Sequence, residues 1–136
     1  MASVFSKIIN GEIPSHKIYE DEFCYAFLDI NPLREGHTLV VSKREVTQFF
    51  ELPEAELAGL MLGVQKVARK INEVYQPKRV VEMAHSYGVA HVHIHLIPTN
   101  SYDEFRQAVI DHERTDQNTE PDHEALAIVR EKLELN

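Results

Sequence analysis

His91-Val92-His93-Ile94-His95-Leu96-Ile97 alternates histidine with aliphatic residues and is followed by Pro98. Successive side chains of a β-strand point to opposite faces, so the alternation predicts a strand with one apolar and one imidazole face. Val92, Ile94 and Leu96 would pack into a core. His91, His93 and His95 would line the other face at steps of roughly 7 Å. The strand reads over residues 89–97, with Pro98 ending it.

Such a strand needs partners, and the flanking sequence offers them. Arg79-Val80-Val81-Glu82-Met83 is β-prone and is joined to the histidine strand by a loop holding His85, Ser86 and Gly88. Ile18-Tyr19-Glu20 and residues 23–28 read as a hairpin turning at Asp21-Glu22, and Thr38-Leu39-Val40-Val41 as a further strand. Leu57, Leu60, Met61, Val64, Val67, Ala68, Ile71 and Val74 recur instead at helical steps. They mark one main helix over Glu54–Tyr75, which Pro53 introduces and Pro77 stops. Residues 103–110 and 123–135 also read as helical, and the polar stretch 115–121 between them reads as mobile. The expected class is α+β: an antiparallel five-stranded sheet, one main helix and a C-terminal helical segment.

A chain of 136 residues suits one domain that needs no disulfide or metal staple. Its single cysteine, Cys24, has no partner within the chain, which fits a reducing compartment. No apolar run nears the ~20 residues that span a bilayer, and the N-terminus lacks the basic flank and apolar core of a signal peptide. A cytoplasmic protein without a membrane partner is expected. The net charge of −8 argues against nucleic acid as a partner. Residues 101–136 hold ten acids against four bases, so the body is nearly neutral and can accept an anionic ligand locally.

Three imidazoles in a row have little structural use, because histidine is a middling strand former and aligned imidazoles disfavour one another's protonation. Three functional readings stand. The row could chelate zinc, it could act as a pH switch, or a neutral imidazole could attack phosphorus to give a phosphoramidate. On spacing alone, metal binding and catalysis carry similar weight.

The wider sequence bears on that choice. Phe5-Ser6-Lys7-Ile8-Ile9-Asn10-Gly11-Glu12-Ile13-Pro14, Ala26-Phe27-Leu28-Asp29-Ile30-Asn31-Pro32, Gly36-His37-Thr38-Leu39-Val40-Val41-Ser42-Lys43 and the triad itself occur in this order. Together they resemble the histidine-triad (HIT) family, in particular its Hint-like branch of nucleoside phosphoramidases. The resemblance implies a HIT-like fold, with a catalytic domain over residues 1–100 and residues 101–136 as an acidic helical extension of the same domain. It implies that His93 is the nucleophile, that His91 and His95 orient the phosphate and stabilise charge or protonate the leaving group, and that His37 supplies a fourth imidazole. By the same resemblance Asp29 accepts hydrogen bonds from ribose hydroxyls, as an acceptor-only carboxylate suits a diol. Val4, Phe5, Ile8, Ile13, Phe27, Leu28 and Ile30 match the family's base pocket, and amides at Gly88 and Val89 are candidates to face the phosphates.

The implied enzyme hydrolyses or transfers a nucleotidyl group. It attacks the α-phosphate of a nucleoside phosphoramidate or dinucleoside polyphosphate, and the intermediate is a nucleotidyl-histidine. The substrate is a purine nucleotide, and the implied assembly is a homodimer. No cofactor is implied, since an imidazole nucleophile requires no metal ion. The alternative is a nucleotide-binding regulatory protein without turnover, and a third is a metal-binding protein using the triad face.

The chain departs from the family pattern in two places. Many relatives carry C-x-x-C near the N-terminus and a further histidine that help bind zinc. Ser3-Val4-Phe5-Ser6 and Glu45 stand there instead, so no metal site is expected. The loop 82–90 is short and lacks the family's usual Asn and Gln. His85 in that loop reads as exposed, as do His16, His112 and His123 in polar segments.

Overall fold

The computed structural model describes residues 2–114 and 120–136. Most of the expected polar linker, at 115–119, lies outside the described residues. The first element is a helix that the sequence pattern did not announce. The Ser3 hydroxyl accepts from the Ser6 amide at 3.0 Å, capping α1 (Val4–Ile9). The strands follow as β1 (Lys17–Glu20), β2 (Cys24–Leu28) and β3 (Thr38–Ser42). A 3-10 turn, Phe49–Glu51, leads into α2 (Glu54–Tyr75), and β4 (Arg79–Met83) and β5 (His93–Thr99) complete the sheet. Two helices close the chain, α3 (Tyr102–Arg114) and α4 (His123–Leu133).

All pairings are antiparallel, in the order β1-β2-β3-β5-β4, so the histidine strand lies inside the sheet. This is the expected α+β architecture. β5 begins at His93 rather than at residue 89. Before it, the chain bends away from the ladder: the Val92 amide donates to Val46 O at 3.0 Å, and Val92 O accepts from Ser42 N at 3.1 Å. The strand also runs through Pro98 to Thr99. β3 pairs with β5 only as far as Leu96, which leaves one side open where a residue without an N–H is tolerated.

The core lies between the sheet and α2. Leu60, Val64, Val67 and Ile71 of α2 are buried against Ala26, Val40 and Leu96. A side chain at Gly63 would collide with Cys24 Sγ, so glycine lets the helix settle close to β2. The helix stops at Tyr75 as expected. Gln76 turns left-handed at φ 46°, and its amide closes on Asn72 O at 2.9 Å. Val92 and Leu96 join this core and Ile94 packs against it, as the alternation predicts.

The C-terminal segment belongs to the same body. Leu126, Val129 and Leu133 of α4 are buried in the main core, and Arg130 Nε donates to Lys17 O at 2.8 Å. Among the described residues no helix is long and apolar enough to cross a membrane. On the other side of the sheet α1 covers a smaller cluster that includes Phe5, Tyr25, Phe27 and Leu39. The imidazole face opens beside that cluster.

Candidate active site

Backbone groups determine where the protons sit on the histidines. His93 Nδ1 lies 2.6 Å from the carbonyl of His91. A carbonyl only accepts, so Nδ1 carries the proton and Nε2 keeps its lone pair. His91 Nε2 donates to Ser42 O at 2.7 Å, so its Nδ1 accepts from Ser3 Oγ at 2.6 Å. On the far side the Leu33 amide donates to His37 Nδ1 at 3.0 Å. His37 Nε2 is therefore the protonated nitrogen, and it donates to His95 Nδ1 at 2.9 Å. The proton of His95 then lies on Nε2, on the side of the ring away from His37.

Burial also keeps these rings uncharged. It lowers His37 to about 3, with nearby His95 and His112 adding to the effect. It lowers His95 to about 4, with His93, His85 and His112 adding. His93 is lowered chiefly by burial, against the upward pull of the His91 carbonyl. At neutral pH the site thus presents a free lone pair at His93 and a neutral N–H at His95. Asp29 lies 3.6 Å from His37 Nε2, but an uncharged His37 makes no ion pair with it. Burial raises the Asp29 carboxyl, opposed by the Asn31 amide that donates to its Oδ1 at 2.8 Å.

The other expected site residues fall into place unevenly. His91 is fully buried with both ring nitrogens engaged, so it has none left for a phosphate. The bend at Val92 carries it below the surface that His93 and His95 share. Phe5 stands edge-on to His93, with ring centroids 4.9 Å apart, and Phe27, Ile8 and Val89 cluster with it. Leu28 does not share their face, because adjacent strand residues point opposite ways. It lines a recess beneath α4 with His37 and Ile30. Ile13 is half-buried, Val4 and Ile30 are exposed, and Gly88 is an exposed loop residue at φ 85°.

The lone pair of His93 needs space in front of it. His93 borders a cleft of about 380 Å³ lined by Thr47, Gln48, Phe49, His85 and Tyr87. His85 is exposed as expected, yet its ring faces the triad, 6.3 Å from His93 and 6.2 Å from His95 between centroids. A second cleft of about 590 Å³ separates the loop after β2 from α3 and places His112, half-buried, along its wall. His16 and His123, also expected to face solvent separately, meet at 3.0 Å.

Two metal arrangements are tested by this chemistry. Donor atoms of Asp29, His37 and His95 lie within 4.8 Å of one another. A neutral imidazole that binds a cation through Nε2 carries its proton on Nδ1, but the Leu33 amide already points at that nitrogen of His37. The backbone therefore disfavours a cation there. At the N-terminus, Glu45 Oε1 accepts from Ser3 N at 2.7 Å and from Ser6 Oγ at 2.6 Å. With Ser3 Oγ on His91, this is a closed hydrogen-bond network with hard oxygen donors, a poor set for zinc.

Ser3, Leu33 and His85 are the site residues that sequence reasoning missed or set aside. A serine ahead of an apolar run could have been read as a cap. Nothing in the pattern marks the Leu33 amide.

Comparison with known proteins agrees with this architecture. The HIT domain family matches residues 10–102. An uncharacterized HIT-like protein of Methanocaldococcus jannaschii is 43% identical over 99 residues, covering 70% of this chain and 77% of the relative. Adenosine 5'-monophosphoramidase HNT1 of Saccharomyces cerevisiae is 38% identical over 99 residues, covering 71% of this chain and 62% of the yeast protein. Among solved structures, a Hit-like protein involved in cell-cycle regulation from Bartonella henselae superposes with a TM-score of 0.77 at 27% identity, over 96% of this chain and 93% of that one. With the HIT domain matched over residues 10–102, most of the chain, and His93 and His95 on the interior strand of the sheet, the chain belongs to the histidine-triad family.

Proposed function

We propose that the protein is a nucleotide hydrolase or transferase that passes a nucleotidyl group through His93. The observation that carries the reading is the His93 tautomer: Nδ1–H is held by the His91 carbonyl, which leaves the lone pair on Nε2 of a residue that lines the open cleft. Yeast relatives named adenosine 5'-monophosphoramidase support a purine nucleoside phosphoramidate as substrate, with dinucleoside polyphosphates as the second candidate.

His93 Nε2 donates its pair to the α-phosphorus, and the bond to the leaving nitrogen or oxygen breaks. Water then attacks phosphorus, the P–Nε2 bond breaks, and the pair returns to His93. The protein's contribution is positioning and charge stabilisation. The neutral N–H of His95 suits a phosphoryl oxygen. Asp29 suits the ribose diol, and Phe5, Ile8 and Phe27 suit the base. Leu28 and Ile30 line the recess beneath α4 with His37, on the other side from that base pocket. Backbone amides at Gly88 and Val89 remain candidates for the phosphate. His91 acts through its carbonyl, as a positioning residue.

The test is turnover of adenosine phosphoramidate and diadenosine polyphosphates by the wild type and by His93→Ala, with AMP affinity measured alongside. Turnover by the wild type, lost in the variant while AMP still binds, is expected. Nucleotide binding by both without turnover by either would favour the regulatory, non-catalytic reading instead.

A further inference from the structure

The site holds a further imidazole, beyond the triad and His37, whose ring faces the nucleophile and which the reading above does not use. His85 lies in the loop between β4 and β5. Its ring is nearly parallel to that of His95, at 27° and 6.2 Å, and meets His93 edge-on at 6.3 Å. It lines the same cleft that His93 borders. Among the described residues no hydrogen bond from the protein fixes its ring. Tyr87, with its ring 6.1 Å away, is the neighbour on its own loop.

Expulsion of an amine from phosphorus requires a proton for the departing nitrogen. The other imidazoles are poorly placed to give one. His91 has both ring nitrogens engaged. His37 accepts at Nδ1 and donates at Nε2 to His95. His95 is neutral, so losing its remaining proton would leave an imidazolate. It can donate a hydrogen bond but is a poor acid. His85 is open to solvent.

The two rings stand 6.3 Å apart between centroids, too far for a direct bond, and both residues line the same cleft, so a leaving group that enters it comes within reach of the His85 ring.

We propose that His85 is the proton shuttle of the reaction, protonating the leaving group as His93 attacks and taking a proton from water in the second step. In the first step the P–N bond breaks, its pair stays on nitrogen, and the His85 imidazolium gives that nitrogen a proton. In the second, neutral His85 accepts a proton from the attacking water while the P–Nε2 pair returns to His93. The imidazolium is thereby regenerated. The titratable groups facing His85 are His93 and His95 of β5 and Tyr87 of its own loop. The opposite wall, at Thr47, Gln48 and Phe49, carries no charge.

The inference rests on the nucleotidyl-His93 reading, and the experiment separates the two. Wild type, His85→Ala, His85→Gln and His93→Ala are assayed on two AMP derivatives. One is an alkyl phosphoramidate, whose leaving group needs a proton; the other is a p-nitrophenyl ester, whose leaving group does not. Both His85 variants are expected to lose about 100-fold or more in the single-turnover rate of amine release from the phosphoramidate and no more than about threefold in the first-turnover release of p-nitrophenolate from the ester, a step that precedes the attack of water. Equal losses in that first turnover on both substrates, wild-type rates in either His85 variant on the phosphoramidate, or full rescue by Gln would overturn the shuttle while leaving His93 in place. Absence of His93-dependent turnover of the ester by the wild type would overturn the underlying reading and the shuttle with it. His85 is exposed, so its variants are expected to melt as the wild type does.

Discussion

His93 Nδ1 sits 2.6 Å from the carbonyl oxygen of His91, whose own ring is anchored at both nitrogens by Ser42 and Ser3. The nucleophile is therefore aimed by main chain that a neighbouring buried ring holds in place. Burial also lowers the pKa of His93. On an aryl ester, whose leaving group needs no proton, kcat/KM is expected to hold from neutral pH down past the ordinary histidine value of about 6.5 and to fall only below it. An acid limb centred at or above that value would contradict the assignment.

Stability should follow the same burial. His37 at about 3 and His95 at about 4 lie below the unfolded value, so between those limits the unfolded chain binds more protons than the native one. The stability these rings support is complete above about pH 6.5 and is lost as pH falls through the folded values. Asp29, raised by burial, works in the opposite direction. The melting temperature is expected to drop by several degrees between pH 7 and pH 4.5, and His95→Gln is expected to flatten that slope. An equal slope in the variant would show that the loss comes from other groups.

Ser3 has two duties, capping α1 and satisfying His91 Nδ1. Ser3→Ala removes the cap and leaves a buried ring nitrogen without its donor. The expected cost is about 2 kcal/mol. That is a fall of roughly 5–10 °C in melting temperature for a domain of this size.

The closed network of Ser3, Ser6, Glu45 and His91 ties α1 to the sheet by hydrogen bonds. Treatment with EDTA is expected to leave the melting curve unchanged. Stoichiometric zinc in the purified protein, with its removal lowering the melting temperature, would refute this.

We expect a homodimer. Phe49 and Phe50 stand uncovered beside α2, which itself leaves Met61 and Leu62 exposed, and the family resemblance implies pairing through this helix and the edge strands. Light scattering at micromolar concentration should return twice the 15.7 kDa chain mass. A monomer mass would overturn the expectation.

Much of this was legible in the chain itself. Period-two and period-3.6 patterns are local, and they named β4, α2 and the apolar side of β5 closely, because burial of one face dictates each pattern. The alternation placed His93 and His95 on one face, whereas the roles of the triad and of Asp29 came from the family resemblance. Where hydrogen bonding departed from the pattern, the reading slipped. β5 starts at His93 because residues 91 and 92 bond to Ser42 and Val46, a non-local event that no periodicity records.

The division between the two sources is physical. Alternation along one strand decides that His93 and His95 share a face. It cannot say which nitrogen carries a proton, because that depends on the carbonyls of His91 and Ser42 and the amide of Leu33, brought in by other parts of the chain. It also cannot separate His91 from its two partners. Sequence spacing makes the three equivalent, and folding anchors the His91 ring at both nitrogens, leaves His93 beside the cleft and sets His95 next to it, with His85 facing them from a loop whose path only packing defines.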